Sequence, residues 1–246
     1  MICGVTGGRG SGSSRAWVGP RDNPLLVLRH AGSLIRREGP RGLLRGVVRL
    51  VVTLCRSIYL ERDMRFYHLS IDAAASMPVT PPFDGVHLHV IESRDDVLAL
   101  VQQGCENLLE VVPGLQRCLD GGAVAGCAFI GPEFASIDWM ALSDGAKRVI
   151  DSSPYPPHLA EGEACTAGAF TLRRFRHRGI AAYRLSEQIQ YLHRKGVHVC
   201  YNTIAVDNVP SQRCVERYGA TFDEVFRQRR ILGRSRYRTV TVPSPR

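Results

Sequence analysis

The fold of this chain is indicated most clearly by one stretch, Phe170-Thr171-Leu172-Arg173-Arg174-Phe175-Arg176-His177-Arg178-Gly179-Ile180-Ala181. Its apolar first residues predict a strand, its arginines predict a turn, and the residues from Gly179 onward predict a helix. The first N–H groups of a helix lack partners within the helix, and the helix dipole adds positive charge there. Gly179 allows close approach of a ligand, while Arg176 and Arg178 add charged donors. The pattern therefore predicts a pyrophosphate site.

Around this stretch, strands and helices alternate over the second two thirds of the chain. Hydrophobic spacing predicts strands at 86–91, 123–130, 134–142, 161–172, 197–206, 221–232 and 237–242. It predicts helices at 179–195 and 208–218, and a helical stretch at 95–119 that is disturbed at Pro113-Gly114. The segment 144–160 contains three prolines and predicts a loop.

A second block follows the next predicted strand. Asn208-Val209-Pro210-Ser211 opens a helix, and Glu216-Arg217-Tyr218-Gly219-Ala220 closes it. With these two blocks in this order, residues 86–242 resemble the GNAT superfamily of N-acetyltransferases. Arg176-x-x-Gly179-x-Ala181 matches that family's acyl-CoA motif, Q/R-x-x-G-x-G/A.

The resemblance implies an α/β (α+β) fold: a mixed, mostly antiparallel sheet splayed at strand 161–172 and flanked by helices. The pantetheine arm of acetyl-CoA, the acyl donor, would lie in the splay. The residues expected to bind it are Thr171, Leu172, Arg173, Arg176, His177, Arg178, Gly179, Ile180, Ala181, Asn208 and Ser211. Asn208 is equally well explained as a helix N-cap.

In this family a substrate amine attacks the thioester directly, which requires a base and an oxyanion donor. Strand alternation predicts that Glu161, Glu163, Cys165 and Thr171 share one face. Glu163, then Glu161, is the candidate base, acting directly or through water; a solvated charge at the strand end is the alternative for both. Cys165 is expected to pack as a small apolar residue.

The thiolate-protonating tyrosine of the family has no counterpart here, because Val215 occupies its place. Tyr218, one helical turn later, is a catalytic candidate, although its position also fits a core residue. No metal is expected, because His87 and His89 share a strand face without a third ligand and the chain contains no C-x-x-C.

The basic character of the chain is concentrated at its N-terminus. Of the formal net charge of +9 over 246 residues, residues 1–70 contribute 12 arginines against four acidic residues, or +8. The expected organisation is a disordered tail at 1–20, a basic helical extension at 21–76, a Pro-rich linker at 77–85 and the acetyltransferase domain at 86–246. Residues 41–60 predict an amphipathic helix that either rests on an anionic membrane or packs on the domain.

Several broad classes are disfavoured by the sequence. Arginines interrupt the most apolar stretch, the start lacks the layout of a secretory signal, and no nucleic-acid recognition fold accompanies the charge. The eight cysteines are scattered singly and indicate no disulfide framework, so a reduced, cytoplasmic setting is expected, with peripheral membrane contact through residues 41–60 as the alternative. The resemblance implies an amine acceptor. An acceptor that also carries phosphate or carboxylate would suit the arginines of the last hairpin, Arg227, Arg229, Arg230, Arg234, Arg236 and Arg238. An ordinary solvated basic hairpin is the alternative.

Two other functions remain compatible with the sequence. One is a catalytically weak acyl-CoA-binding regulatory module, suggested by the missing tyrosine. The other is a membrane-surface acetyltransferase that acts on cell-envelope precursors, suggested by residues 41–60.

Overall fold

The computed structural model describes residues 59–151, 153, 158–231 and 234–240. The predicted tail at 1–20, and residues 21–58 of the predicted extension, lie outside the described residues. Within the described part, no helix is both long and apolar enough to cross a membrane.

In the described residues, eight strands form one sheet, in the spatial order β2-β3-β4-β5-β6-β1-β7-β8. The strands are β1 Tyr59–Ser70, β2 Val86–Ile91, β3 Val124–Ile130, β4 Glu133–Ala141, β5 Glu163–Thr171, β6 Val199–Ala205, β7 Thr221–Ile231 and β8 Arg234–Val240. All neighbours pair antiparallel except β5 and β6, which are parallel. The predicted mixed, mostly antiparallel sheet is confirmed.

Seven helices cover the two faces of this sheet in the described residues. They are α1 Ile71–Ala75, α2 Arg94–Gln102, α3 Leu108–Val111, α4 Leu115–Asp120, α5 Asp144–Ile150, α6 Ile180–Arg194 and α7 Val209–Glu216. Helices α2 to α5 pack around Trp139 and Phe129 on one face, named here the α2–α5 face. Helices α1, α6 and α7 pack around Met140 and Ile189 on the other, the α6–α7 face. Because both faces are covered, β3 and β4 are buried almost throughout.

The predicted boundary between extension and domain is wrong for residues 59–76. Strand β1 lies inside the sheet, between β6 and β7, and α1 follows it directly. The first half of β1 is rich in charge because Glu61 and Asp63 pair with arginines of β7 rather than with apolar neighbours. This charge hides the strand pattern, which becomes apolar only from Met64 onward.

Two other local expectations also need correction. The helical stretch predicted at 95–119 consists of three short helices, α2 to α4. The expected disturbance at Pro113-Gly114 is present, but a second break, at Gly104, was not predicted. Both Gly104 and Gly114 adopt positive φ angles that end or begin a helical turn. The predicted loop at 144–160 contains helix α5, which begins where the hydroxyl of Ser143 accepts a hydrogen bond from the Ala146 N–H.

Candidate active site

The parallel strands β5 and β6 separate halfway along their length. They pair only from Glu163–Val199 to Thr166–Asn202. Beyond that point β5 stays paired with β4 as far as Thr171, while β6 stays paired with β1 as far as Ala205. The amide of Asn202 donates to the Thr166 hydroxyl at 2.7 Å, at the last joined pair. The predicted splay is confirmed, and it leaves strand edges without a neighbouring strand on both sides of the opening.

The loop after β5 brings a helix N-terminus to this opening. A short 3-10 turn at Arg173–Phe175 is followed by His177 with φ 61° and Gly179 with φ 77°. Helix α6 begins at Ile180, and within the described chain the N–H groups of residues 180–182 donate no backbone hydrogen bond. A non-glycine residue at positive φ costs on the order of 1 kcal/mol, so the surroundings must hold this loop in place.

The Pro-rich segment 77–85 forms one wall of that loop. A Cβ atom added at Gly179 would lie 3.0 Å from the Cβ atom of Pro82. The guanidinium of Arg178 lies 4.4 Å from the centroid of the Phe83 ring, within the range of a cation–π interaction. The segment predicted to be a linker therefore packs against the loop. Gly179 is required for both its backbone angle and its lack of a side chain.

Arg176 supports the loop from inside. Its Nε donates to the Thr171 carbonyl at 3.0 Å, and its guanidinium lies 5.9 Å from the Phe170 ring centroid. The side chain thus folds back over the end of β5. Arg173 and Arg178 are exposed at the loop surface and are the cations better placed to meet an anion.

The backbone of residues 171–173 is partly used within the fold. The Leu172 N–H donates to the Ala135 carbonyl at 2.9 Å, and the Arg173 carbonyl accepts from the Arg176 N–H at 3.4 Å. The N–H of Leu172 is therefore committed to the sheet edge.

Asn208 and Ser211 lie at the same end of the sheet as the loop, because β5 and β6 run parallel and α7 follows β6. Asn208 is the N-cap residue of α7 by position, but its side chain makes no capping hydrogen bond. Its carbonyl accepts from the Ser211 N–H at 3.1 Å, and the residue is exposed at the start of the helix.

A β-bulge in β5 changes which side chains share a face. Ile137 and Trp139 of β4 pair with Phe170 and Ala167, so two β5 residues, Gly168 and Ala169, oppose one β4 residue. Such an extra residue reverses the alternation beyond it. The prediction that Thr171 shares a face with Glu163 and Cys165 is therefore wrong.

The two sides of the bulge accordingly contact different surroundings. Cys165 packs with the core of the α2–α5 face, and burial raises the pKa of its thiol well above the usual value. The hydroxyl of Thr171 instead lies 2.9 Å from that of Ser136, a fully buried residue on the other side of the sheet.

Glu163 is engaged by two donors on the α2–α5 face. The Tyr201 hydroxyl donates to its Oε1 at 2.8 Å, and the Ala160 N–H donates to its Oε2 at 2.9 Å. Burial, followed by the carboxylate of Glu163, raises the pKa of Tyr201 to about 12. Tyr201 also stacks on Phe66, with ring centroids 5.5 Å apart. Sequence reasoning missed Tyr201, whose only signal was its position on the strand beside the splay.

The other two catalytic candidates lie apart from this pair. Glu161 is exposed in the turn before β5 and makes no hydrogen bond or ion pair with the described residues. Tyr218 is buried between α6 and α7, where its hydroxyl donates to the Ala182 carbonyl at 3.1 Å. Its proton is therefore already bound by the first turn of α6, and Val215 beside it is buried in the same core.

A small polar pocket opens on the α2–α5 face next to the splay. Strand β6 contributes Thr203, one residue beyond the last residue joined to β5. Strands β1, β7 and β8 and the segment after α5 complete the lining, which consists of Arg62, Met64, Asp151, Ser153, Thr203, Phe226, Gln228 and Tyr237. Arg62 donates to Gln228 at 2.8 Å, and Gln228 donates to the Tyr237 hydroxyl at 3.0 Å. Six of these eight side chains are polar, and the cavity has a volume of only about 30 Å³, room for little more than a water molecule.

A buried ion pair lies beneath α6, on the opposite face from the pocket. Arg184 of α6 approaches Asp138 of β4, with Nη2 and Oδ2 3.7 Å apart and both side chains almost completely buried. Asp138 opposes the β5 bulge. Burial raises the pKa of Asp138 to about 6, although Arg184 and the Trp139 N–H lower it. This pair links the helix at the candidate pyrophosphate loop to the strand beside the splay.

No metal-ligand cluster stands out in the part of the chain that the structure describes, since no three His, Cys, Asp or Glu side chains there are placed to hold a metal ion. Arg227 and Arg229 of the last hairpin pair with Asp63 and Glu61 of β1. The side chains of Arg230 and Arg234 lie outside the described part.

Comparisons with known proteins concern the fold. No protein-family model matches the sequence, and no curated protein matches it. Among solved structures, the chain is similar to a Drosophila protein (13% identity, TM-score 0.47, 78% of this chain and 58% of that one). It is also similar to a putative GNAT-family acetyltransferase from Novosphingobium aromaticivorans (17% identity, TM-score 0.41, 68% of this chain and 63% of that one). A third similar structure is a GCN5-related N-acetyltransferase from Kribbella flavida (14% identity, TM-score 0.43, 73% of this chain and 62% of that one).

The chain spans less than two thirds of the length of each of these three structures. Two of the three are named as members of the superfamily that the sequence blocks resemble.

Proposed function

We propose that this protein is an acyl-CoA-dependent N-acetyltransferase that moves an acetyl group from acetyl-CoA to a primary amine by direct attack. The observation that carries the proposal is the separation of β5 and β6 directly beside the N-terminus of α6. A strand edge without a neighbour can pair with an extended, amide-containing chain such as pantetheine, and a helix N-terminus can bind its pyrophosphate.

The coenzyme contacts follow from this placement. The N–H groups of residues 180–182 point out of the helix and are available to the diphosphate. Arg173 and Arg178 add charge at the loop surface, while Arg176 maintains the loop through its bond to Thr171. Asn208 and Ser211, on the other side of the opening, are proposed to contact the pantetheine arm.

The proposed reaction uses groups at the joined end of the splay. The amine nitrogen attacks the thioester carbon, and a main-chain N–H of β5 beyond the last pair with β6 stabilises the resulting oxyanion. The amine proton passes to the Tyr201 oxygen while the Tyr201 proton passes to Glu163, because the hydroxyl already donates to that carboxylate. The C–S bond then breaks, and the CoA thiolate takes up a proton from water. Glu163 returns its proton to the hydroxide formed in that step, which restores the carboxylate and leaves no net change in protons.

The acceptor is proposed to enter from the α2–α5 face, where the polar pocket at Thr203 adjoins Tyr201 and Phe66. Because the cavity has a volume of only about 30 Å³, it would hold no more than a small polar group of the acceptor, such as the amino group, and the rest of the acceptor would lie outside it. The pocket, rather than the basic hairpin, is therefore proposed to receive the reacting end of the acceptor.

A second candidate function is a module that binds acyl-CoA without turnover. The engagement of the Tyr218 hydroxyl by Ala182, together with Val215 at the usual tyrosine position, favours it. The two candidates differ in chemistry and agree on the ligand.

Calorimetry with acetyl-CoA, followed by thiol release over a panel of amines from pH 6 to about pH 9, tests both. Acetyl-CoA binding with thiol release supports the enzyme, and binding without thiol release on any amine supports the module. No heat with acetyl-CoA, CoA or a longer acyl-CoA would overturn both candidates.

A further inference from the structure

The edge of the sheet at β7 and β8 carries rows of arginine on the α6–α7 face. Arg227 lies directly opposite Arg238, and Arg229 lies directly opposite Arg236. These four residues are called the arginine ribbon. In the described residues β8 pairs with β7 alone, so the ribbon lies along an open edge of the sheet.

Only half of the ribbon is neutralised by neighbouring carboxylates. Asp63 accepts two hydrogen bonds from Arg227, at 2.8 and 3.1 Å, and Glu61 lies 3.1 Å from Arg229. Arg236 and Arg238 are exposed and have no ion-pair partner among the residues that the structure describes. Like charges directly opposite each other on two strands are destabilising. An external anion at the ribbon would offset that repulsion.

Exposed apolar groups lie beside these charges. Tyr59 and Ile231 face each other across β1 and β7, on the same side of the sheet as the ribbon. Their exposures are 46% and 45%, large values for such side chains. The guanidinium of Arg229 lies 5.7 Å from the Tyr59 ring centroid. An aromatic and an aliphatic side chain flanked by arginines match the composition of segments that rest at a membrane–water interface.

We propose that the arginine ribbon, with Tyr59 and Ile231, is a docking surface for an anionic membrane. The sequence that leads into Tyr59 supports a membrane over another polyanion. Residues 41–58 contain four arginines, no acidic residue, and large apolar residues at intervals of three and four. Nucleic-acid binding would use the charge but not these apolar groups.

The proposed surface leaves the candidate site accessible. The ribbon side chains face the α6–α7 side, whereas the polar pocket opens on the α2–α5 side, with Gln228 and Tyr237 pointing into it from the same strands. A docked protein could therefore still take an acceptor from the membrane or from solution. The docking proposal does not depend on acetyl transfer.

Co-sedimentation of the full-length protein with vesicles tests the proposal. One set of vesicles is phosphatidylcholine alone, and the other contains about one third phosphatidylglycerol, which makes its surface anionic. The test variant is Arg236→Gln/Arg238→Gln. The control, Arg94→Gln/Arg148→Gln, removes the same charge from exposed positions on α2 and α5, on the opposite face.

We expect the wild type and the control to pellet with anionic vesicles and not with neutral ones. Because each arginine near an anionic surface strengthens partitioning by about fivefold, the ribbon variant should partition roughly 25-fold less. Circular dichroism of each variant checks that the fold is intact.

Three results would overturn the proposal. The first is equal pelleting of the wild type with both vesicle types, and the second is equal partitioning of the ribbon variant and its control. The third is tight binding of the wild type to duplex DNA, lost in the ribbon variant, without binding to vesicles. As a separate check, Tyr59→Ser/Ile231→Ser should weaken the binding that persists in high salt, because apolar insertion is not screened.

Discussion

Substitution of Gly179 by alanine tests whether the loop before α6 binds the coenzyme. The residue has φ 77°, and an added Cβ atom would lie 3.0 Å from the Cβ atom of Pro82. A side chain in the left-handed region costs about 1–2 kcal/mol, and the short contact requires Pro82 or the loop to shift. Either adjustment moves the N–H groups at the start of α6. Returning these N–H groups to their original positions when acetyl-CoA binds should cost about 1–2 kcal/mol, which corresponds to an affinity about 5- to 30-fold weaker.

Gly196→Ala is the matched control at the other end of the same helix. Gly196 has φ 75°, and nothing lies within 4 Å of an added Cβ atom. Gly196→Ala should lose about 1–2 kcal/mol of unfolding free energy in urea denaturation, and Gly179→Ala at least as much because of its added contact with Pro82. Calorimetry should find weaker acetyl-CoA binding only for the Gly179 variant. Equal affinities of the two variants, whether both normal or both reduced, would refute the assignment of the loop to the coenzyme.

Four further expectations concern other residues of the site. Arg184→Met should cost about 3–5 kcal/mol in denaturation because it leaves the Asp138 carboxylate buried alone, and adding Asp138→Asn should recover much of that loss. The folded pKa of Asp138, about 6, exceeds its unfolded value near 4, so the stability that this group contributes is present below pH 4 and is lost as the pH rises through 6. If the unfolding free energy of Asp138→Asn changed with pH between 4 and 6 as steeply as that of the wild type, this expectation would be wrong. Tyr218→Phe should lose about 1 kcal/mol of stability with kcat unchanged, and a large fall in kcat would restore it as a catalytic candidate. Tyr201→Phe and Glu163→Gln should each lower kcat by at least about 100-fold near pH 7, with no further loss in the double variant, whereas additive losses would separate the two roles.

Local sequence patterns predicted the bounds of an element correctly where one of its faces is apolar or where a glycine lies at its end. Helix α6 and the turn before it were predicted within a residue or two, because Gly179 and Gly196 bracket an amphipathic segment. Strand β1 was missed because its first half is stabilised by ion pairs to β7, more than 160 residues away in sequence. Hydrophobic periodicity depends on residues that are close in sequence, so it does not indicate such distant partners.

The same limit applies to the candidate site. The pairing of Glu163 with Tyr201 joins two strands separated by a helix, and the pairing of Asp138 with Arg184 joins a strand to that helix. Each residue alone reads as an ordinary polar position in its element. Only the topology brings them together, and a single sequence does not contain that information.

The β5 bulge gives this strand two different environments. Before the bulge, Glu163 and Cys165 face the side of the polar pocket; after it, Thr171 faces the buried Ser136. Without the extra residue, regular alternation would place the end of the strand on the opposite face from that observed. The side chain of Thr171 would then point toward the α2–α5 face, and its bond to Ser136 would be lost. The bulge thus allows one strand to present acid–base groups to the proposed acceptor side while anchoring the proposed coenzyme loop on the other side.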